Sequence, residues 1–425
     1  MFRTALKHAA LPWLLIFCLL LLPPPSRAYS VFTHGQIVDL SWKSLIEPLL
    51  LSRFPHTTAD DLNEAHSYAY GGCAIQDMGY YPFGKQFFSD LTHYVRTGDF
   101  IMNLLRDARD VDEYAFALGA LSHYIGDNIG HHDAVNHATA LSFPKLAAKY
   151  GPSITYDENR HAHVRTEFAF DIGQLSKHRL APAAYLEFIG LRVSQRLLQQ
   201  AFFETYGLSL RSVLGPEFPA IRSYRTAVRS FLPIFADGEV VIHRDEFLPD
   251  IPDRDFQIYI ERLNQTDFAR LWNPYRRKPT VWTHLLALFI RIDPKIGPAS
   301  DLAIKIPTEP TEDLYITSVN RSVELFRELL TAFKEHPKSI PPIPNRDLDT
   351  GEISKPGAYA LTDETYANLL HKIAAEPGRR LPGRLRDDLL HYYSDPSAPI
   401  KTKQNPKAWK RVLADLATLE KMGSR

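Results

Sequence analysis

LGALSHYIGDNIGHHDAVN, residues 118–136, decides how this chain is read. It sets His123, Asp127 and His131 four residues apart. On a helix advancing roughly 100° per residue, the first and last of these differ in direction by only about 80°, so all three share one face. RHAHVRTEFAFD, residues 160–171, repeats the four-residue step with His163 and Glu167. Two such helices facing one another close a polar site from both sides.

His34, Asp77 and His93 complete a set of eight metal-type side chains: His34, Asp77, His93, His123, Asp127, His131, His163 and Glu167. Eleven of the seventeen histidines lie between positions 34 and 178, so the imidazoles are concentrated rather than scattered. Zinc favours imidazole and carboxylate, and in hydrolytic sites it keeps positions open for water and substrate. Calcium sites are oxygen-rich and poor in histidine, which this set is not. Alone, Asp77 reads as a turn aspartate and Glu167 as an exposed helix residue; together with the histidines both read as ligands. His132 competes with His131, but it lies about 180° around the helix from His123. Similarly, His163 rather than His161 is one turn from Glu167.

The start of the chain has the form of a secretory signal peptide. Arg3 and Lys7 precede an apolar run from Leu14 to Leu22, and small residues stand at Ser26 and Ala28. Cleavage after Ala28 would leave Tyr29 as the N-terminus, five residues from His34, where its amine and carbonyl are able to chelate a metal. The expected address is secreted or periplasmic. With Cys18 in the removed segment, Cys73 is the one remaining cysteine, so no internal disulfide is expected and metal stands as the alternative staple. Cys73 reads as a small buried residue more than as a thiol nucleophile. The balance of 49 basic and 49 acidic residues argues against bulk nucleic-acid binding.

The periodicity is helical nearly throughout, and alternating strand patterns are scarce. Helices are expected at 36–51, 59–70 (stopped by Gly71 and Gly72), 85–95, 100–109, 112–128 and 183–206, with further ones after residue 240. Thr280 to Ile292 is also apolar, and buried packing is favoured there over membrane docking. The expected organisation is a signal peptide at 1–28, a catalytic domain at 29–240 and a helical extension at 241–338. A linker at 339–351, SIPPIPNRDLDTG, then leads to a small helical segment at 352–425.

Tyr29 with His34, YGGCAIQD ending at Asp77, THY at His93, HYIGDxxxH from His123 to His131, and HxxxE from His163 to Glu167 together resemble the zinc-dependent phospholipase C superfamily. That superfamily includes the metal domain of glycosylphosphatidylinositol-specific phospholipase D and, more distantly, single-strand-specific nucleases. The resemblance covers about residues 29 to 200. It implies an all-α, multi-helix phospholipase C/nuclease-like bundle with a helical C-terminal extension. It also implies three zinc ions: one on Asp77, His93, His123 and Asp127, a second on His131, His163 and Glu167, and a third on His34 and Tyr29 with Asp127 bridging. The gap from Asp127 to His131 is shorter than in the bacterial phospholipases C and is shared by the phospholipase D relatives.

A phosphodiester repels nucleophiles, and clustered zinc neutralises its oxygens and acidifies a bound water. Asp77 and Asp127 are the candidate catalytic residues, and a phospholipid, met in transient contact with a membrane surface, is the expected substrate. A single-strand-type nuclease and a phospholipase D-like activity are alternatives on the same metals. A zinc-stabilised binding protein without turnover is the alternative of another class. No nucleophile elbow, phosphate-binding glycine loop or dinucleotide fingerprint is present in the sequence.

Overall fold

The computed structural model describes residues 31–250, 252–266, 268–292, 304–337 and 339–422. The described residues form α-helices with no strand; an isolated bridge joins Arg346 to Ile353. The expected signal peptide and Tyr29 lie outside the described residues.

The helices that place the site are α1 (Val31–Ser41), α2 (Ala59–Gly72), α3 (Gln86–Tyr94), α4 (Val111–Gly130) and α5 (Arg160–Ser176). Behind them come α6 (Leu232–His243), α7 (Val281–Ile292), α8 (Glu309–Glu335) and α9 (Ala360–Ala374). α4 is the central rod. Asp110 caps it by accepting from the Glu113 amide, and Asp112 and Glu113 place negative charge on its positive end. Its residues are buried almost end to end, because α2, α8 and α1 surround it.

Gly71 and Gly72 do not stop α2 at Tyr70, as the sequence suggested; the helix includes both and is capped by Cys73. They serve close approach instead. A Cβ on Gly72 would lie 2.1 Å from the Phe116 carbonyl, and one on Gly119 would lie 2.1 Å from the Ala69 carbonyl. Backbones at that separation leave no room for any side chain, so α2 and α4 touch along their glycines. The expected helix 183–206 is broken into Ala183–Ile189 and Gln195–Tyr206, with Gly190 at φ 89° between them.

Residues 343–351, within the stretch expected as a linker, are packed against α3 and α4. Tyr124 donates to the Pro344 carbonyl at 2.6 Å, Thr97 to the Arg346 carbonyl at 2.7 Å, and the Leu348 amide to the His93 carbonyl at 3.0 Å. Ile343, Leu348, Asp347 and Asp349 are buried. Gly351 turns the chain at φ 72°, where a Cβ would meet the Asn128 carbonyl at 2.6 Å. The segment from 352 onward then packs through α9 onto α3.

Candidate metal centre

All eight side chains singled out in the sequence converge, and each is 2% exposed or less. α4 supplies His123 and Asp127 on one face, and its continuation into a π-helical turn, His131–Val135, supplies His131. π-turns occur often at functional sites because the extra residue re-aims a side chain. His34 comes from α1, His93 from α3, and His163 and Glu167 from α5; Asp77 sits in a 3₁₀ turn, Ile75–Tyr80, rather than an open loop. His132 is exposed and bound to Asp133 at 2.7 Å, and His161 is exposed, so neither reaches the cluster.

Asp127 is the hub. Its Oδ1 lies 3.2 Å from His34 Nε2 and 3.7 Å from His131 Nε2, while Oδ2 lies 3.0 Å from His123 Nε2 and 3.3 Å from His93 Nε2. His93 Nε2 is 3.4 Å from Asp77 Oδ1. Glu167 Oε1 is 3.1 Å from His131 Nε2 and 3.0 Å from His163 Nε2. Among the described residues three donor groups emerge, each with ligand atoms within 4.8 Å of one another: His34, His123 and Asp127; Asp77, His93 and His123; His131, His163 and Glu167.

The ring orientations are fixed from behind. His93 Nδ1 donates to the Ser89 carbonyl at 2.8 Å, His123 Nδ1 to the Cys73 carbonyl at 3.1 Å, and His131 Nδ1 to the Leu348 carbonyl at 3.0 Å. With the proton on Nδ1, each Nε2 turns a lone pair toward a carboxylate. Lone pair against anion is repulsive unless a proton or a cation stands between them. The protonation preferences express this. Burial works against a charged imidazole at His131, yet Asp127 and Glu167 lift it to about 9. At His93 burial is likewise outweighed by Asp127 and Asp77, whereas at His123 burial prevails and lowers the value.

These residues fit zinc. The donors are imidazole and carboxylate, buried, in groups of three. Asp77 is fully buried with no hydrogen-bond donor on either oxygen, an arrangement costly for a carboxylate unless a cation accepts it. Burial pushes the Cys73 thiol up, and the thiol donates to the Tyr70 carbonyl, in keeping with the small buried residue expected there.

Two further carboxylates were missed in the sequence. Asp171, one turn beyond Glu167 on α5, accepts from the Phe32 and Thr33 amides at 3.0 and 3.1 Å and from the Thr33 hydroxyl at 2.6 Å. It pins the first turn of α1 and thereby His34; the four-residue step from Glu167 was the available signal. Asp349 lies 3.6 Å from His131 Nδ1 and accepts from the Tyr94 and Tyr359 hydroxyls at 2.9 and 2.7 Å. Nothing local in the sequence marks it.

No curated protein and no solved structure is similar enough to the chain to count as a match. A family profile described as zinc dependent phospholipase C matches residues 33–214, the stretch that carries all eight converging side chains. Residues 33–214 are thus similar to the zinc-dependent phospholipase C family, on an all-α fold that brings this donor set together.

Proposed function

We propose that the chain is a phospholipase C-type phosphodiesterase working through three zinc ions, secreted or periplasmic after removal of residues 1–28. The observation that supports this best is the sharing of Asp127 among His34, His93, His123 and His131 inside one buried cluster. On this reading Asp77, His93, His123 and Asp127 hold the first ion, and His131, His163 and Glu167 the second. His34, with Tyr29 and Asp127, holds the third.

Zinc so bound supplies charge against the phosphodiester oxygens and an acidified water for attack at phosphorus. The chain's own residues do the rest. Asp127 presents its two oxygens to different histidines and so fixes the spacing of the centre. Asp77, whose carboxyl burial raises above its ordinary value, is the residue placed to take the proton released in attack. The carbonyls of Ser89, Cys73 and Leu348 keep the histidines in the tautomer that offers Nε2.

The burial of every donor favours a second reading, a zinc-stabilised protein without turnover, since closed sites are the structural kind. Hydrolysis of a short-chain, monomeric phosphatidylcholine, followed by phosphorus magnetic resonance, separates the two. Phosphocholine appearing with wild type and not with Asp127→Ala supports the phosphodiesterase. Zinc-dependent stability with no product supports the second reading, and phosphatidic acid would reassign the bond cleaved.

A further inference from the structure

We infer that α7, with the basic residues just before it, is a docking surface for an anionic phospholipid bilayer. The sequence suggested burial for this helix, but the structure buries one side only. Ala287 and Ile290 pack inward onto α6, where a Cβ on Gly238 would come within 3.0 Å of Ile290 Cδ1. Val281, Trp282, Leu285 and Leu288, at helical spacing, are 75, 65, 49 and 53% exposed. Ile234 on α6 adds a further exposed apolar side chain. A helix apolar on both sides belongs in a core or against lipid, and four large side chains in one stripe are not the scattered exposure of an ordinary surface.

Charge selects the occupant. Residues 276–292 contain Arg276, Arg277, Lys278 and Arg291 and no acidic residue. Lys278 and His284 share a groove of about 1060 Å³ with Arg244 and the half-exposed Leu248. The acids facing that groove are Asp245 and Asp250, and Asp250 is already paired with Lys177 and Arg179. Asp237 is exposed on α6, while Glu246, also exposed, and the buried Glu239 both face His243, at 3.0 and 3.4 Å. The balance is basic around an apolar stripe led by a tryptophan, which is the composition of a helix lying in the lipid headgroup layer.

The surface connects to the centre through two helix contacts. α7 packs on α6, and Phe235 of α6 meets Phe168 of α5 edge-on at 5.9 Å, next to Glu167. The inference stands on exposure and charge and does not rest on the phosphodiesterase reading.

Flotation of the full chain with mixed phosphatidylcholine–phosphatidylserine vesicles tests it. Wild type is expected to float with the mixed vesicles, less with phosphatidylcholine alone, and less in high salt. Trp282→Ser with Leu285→Ser, both on the exposed side, is expected to lower the partition about tenfold with helix content unchanged. Arg277→Glu with Lys278→Glu is expected to abolish the preference for anionic lipid. Trp282→Phe is expected to float normally while losing most of the fluorescence quenching by brominated lipid. Wild type remaining lipid-free, or the double serine variant floating like wild type, would overturn the inference. Flotation requires no turnover, so its failure is distinct from failure to hydrolyse a monomeric substrate.

Discussion

His131 Nδ1 donates to the carbonyl of Leu348 at 3.0 Å, across 217 positions of sequence. A candidate ligand inside the family-matched stretch is thus oriented by a residue far outside it. The neighbouring Asp349 ties the same segment down through Tyr94, Tyr359 and its own carbonyl, which accepts from Asn136 at 2.9 Å.

Asp349→Ala is predicted to destabilise the protein by about 2–3 kcal/mol, because it removes the acceptor of two buried tyrosine hydroxyls. It is also predicted to weaken zinc at the His131, His163, Glu167 group before the others. Urea unfolding and the visible spectrum of the cobalt-substituted protein check this; an unchanged cobalt spectrum would leave Asp349 a purely structural residue.

Asp171→Ala removes the acceptor of the Phe32 and Thr33 amides at the first turn of α1. The predicted loss is about 2 kcal/mol, with one fewer zinc retained per chain after dialysis, because His34 is no longer held against Asp127. Metal analysis against wild type decides it.

Asp347 gives a pH prediction. Burial, and then the charge of Asp349, push its carboxyl up to about 7. The folded state therefore binds a proton that the unfolded state has released above the ordinary value of 3.8. From that value up to about 7, stability falls with rising pH, by at most about 1.4 kcal/mol per unit, and then levels off. Asp347→Asn, which cannot release a proton, is predicted to flatten that slope in urea titrations at fixed zinc; an identical slope in the variant would contradict the assignment.

How much of this the sequence revealed follows from range. His123, Asp127 and His131 could be aligned because one helix turn fixes their direction, and Glu167 followed from His163 for the same reason. Gly72 was misread as a helix stop, since its purpose is set by the partner helix and not by its own. Leu348 acts through its backbone carbonyl, which any residue provides, so no side-chain pattern announces it. The stripe on α7 misled because apolar periodicity reports that a face avoids water, without saying whether protein or lipid covers it.

Zinc-edge anomalous diffraction from crystals of the signal-processed, zinc-loaded protein tests the central claim most directly. Three peaks are predicted around Asp127, with one bounded by Asp77, His93 and His123, one by His131, His163 and Glu167, and one beside His34. A single peak, or none touching Asp127, would contradict the shared centre and the chemistry built on it.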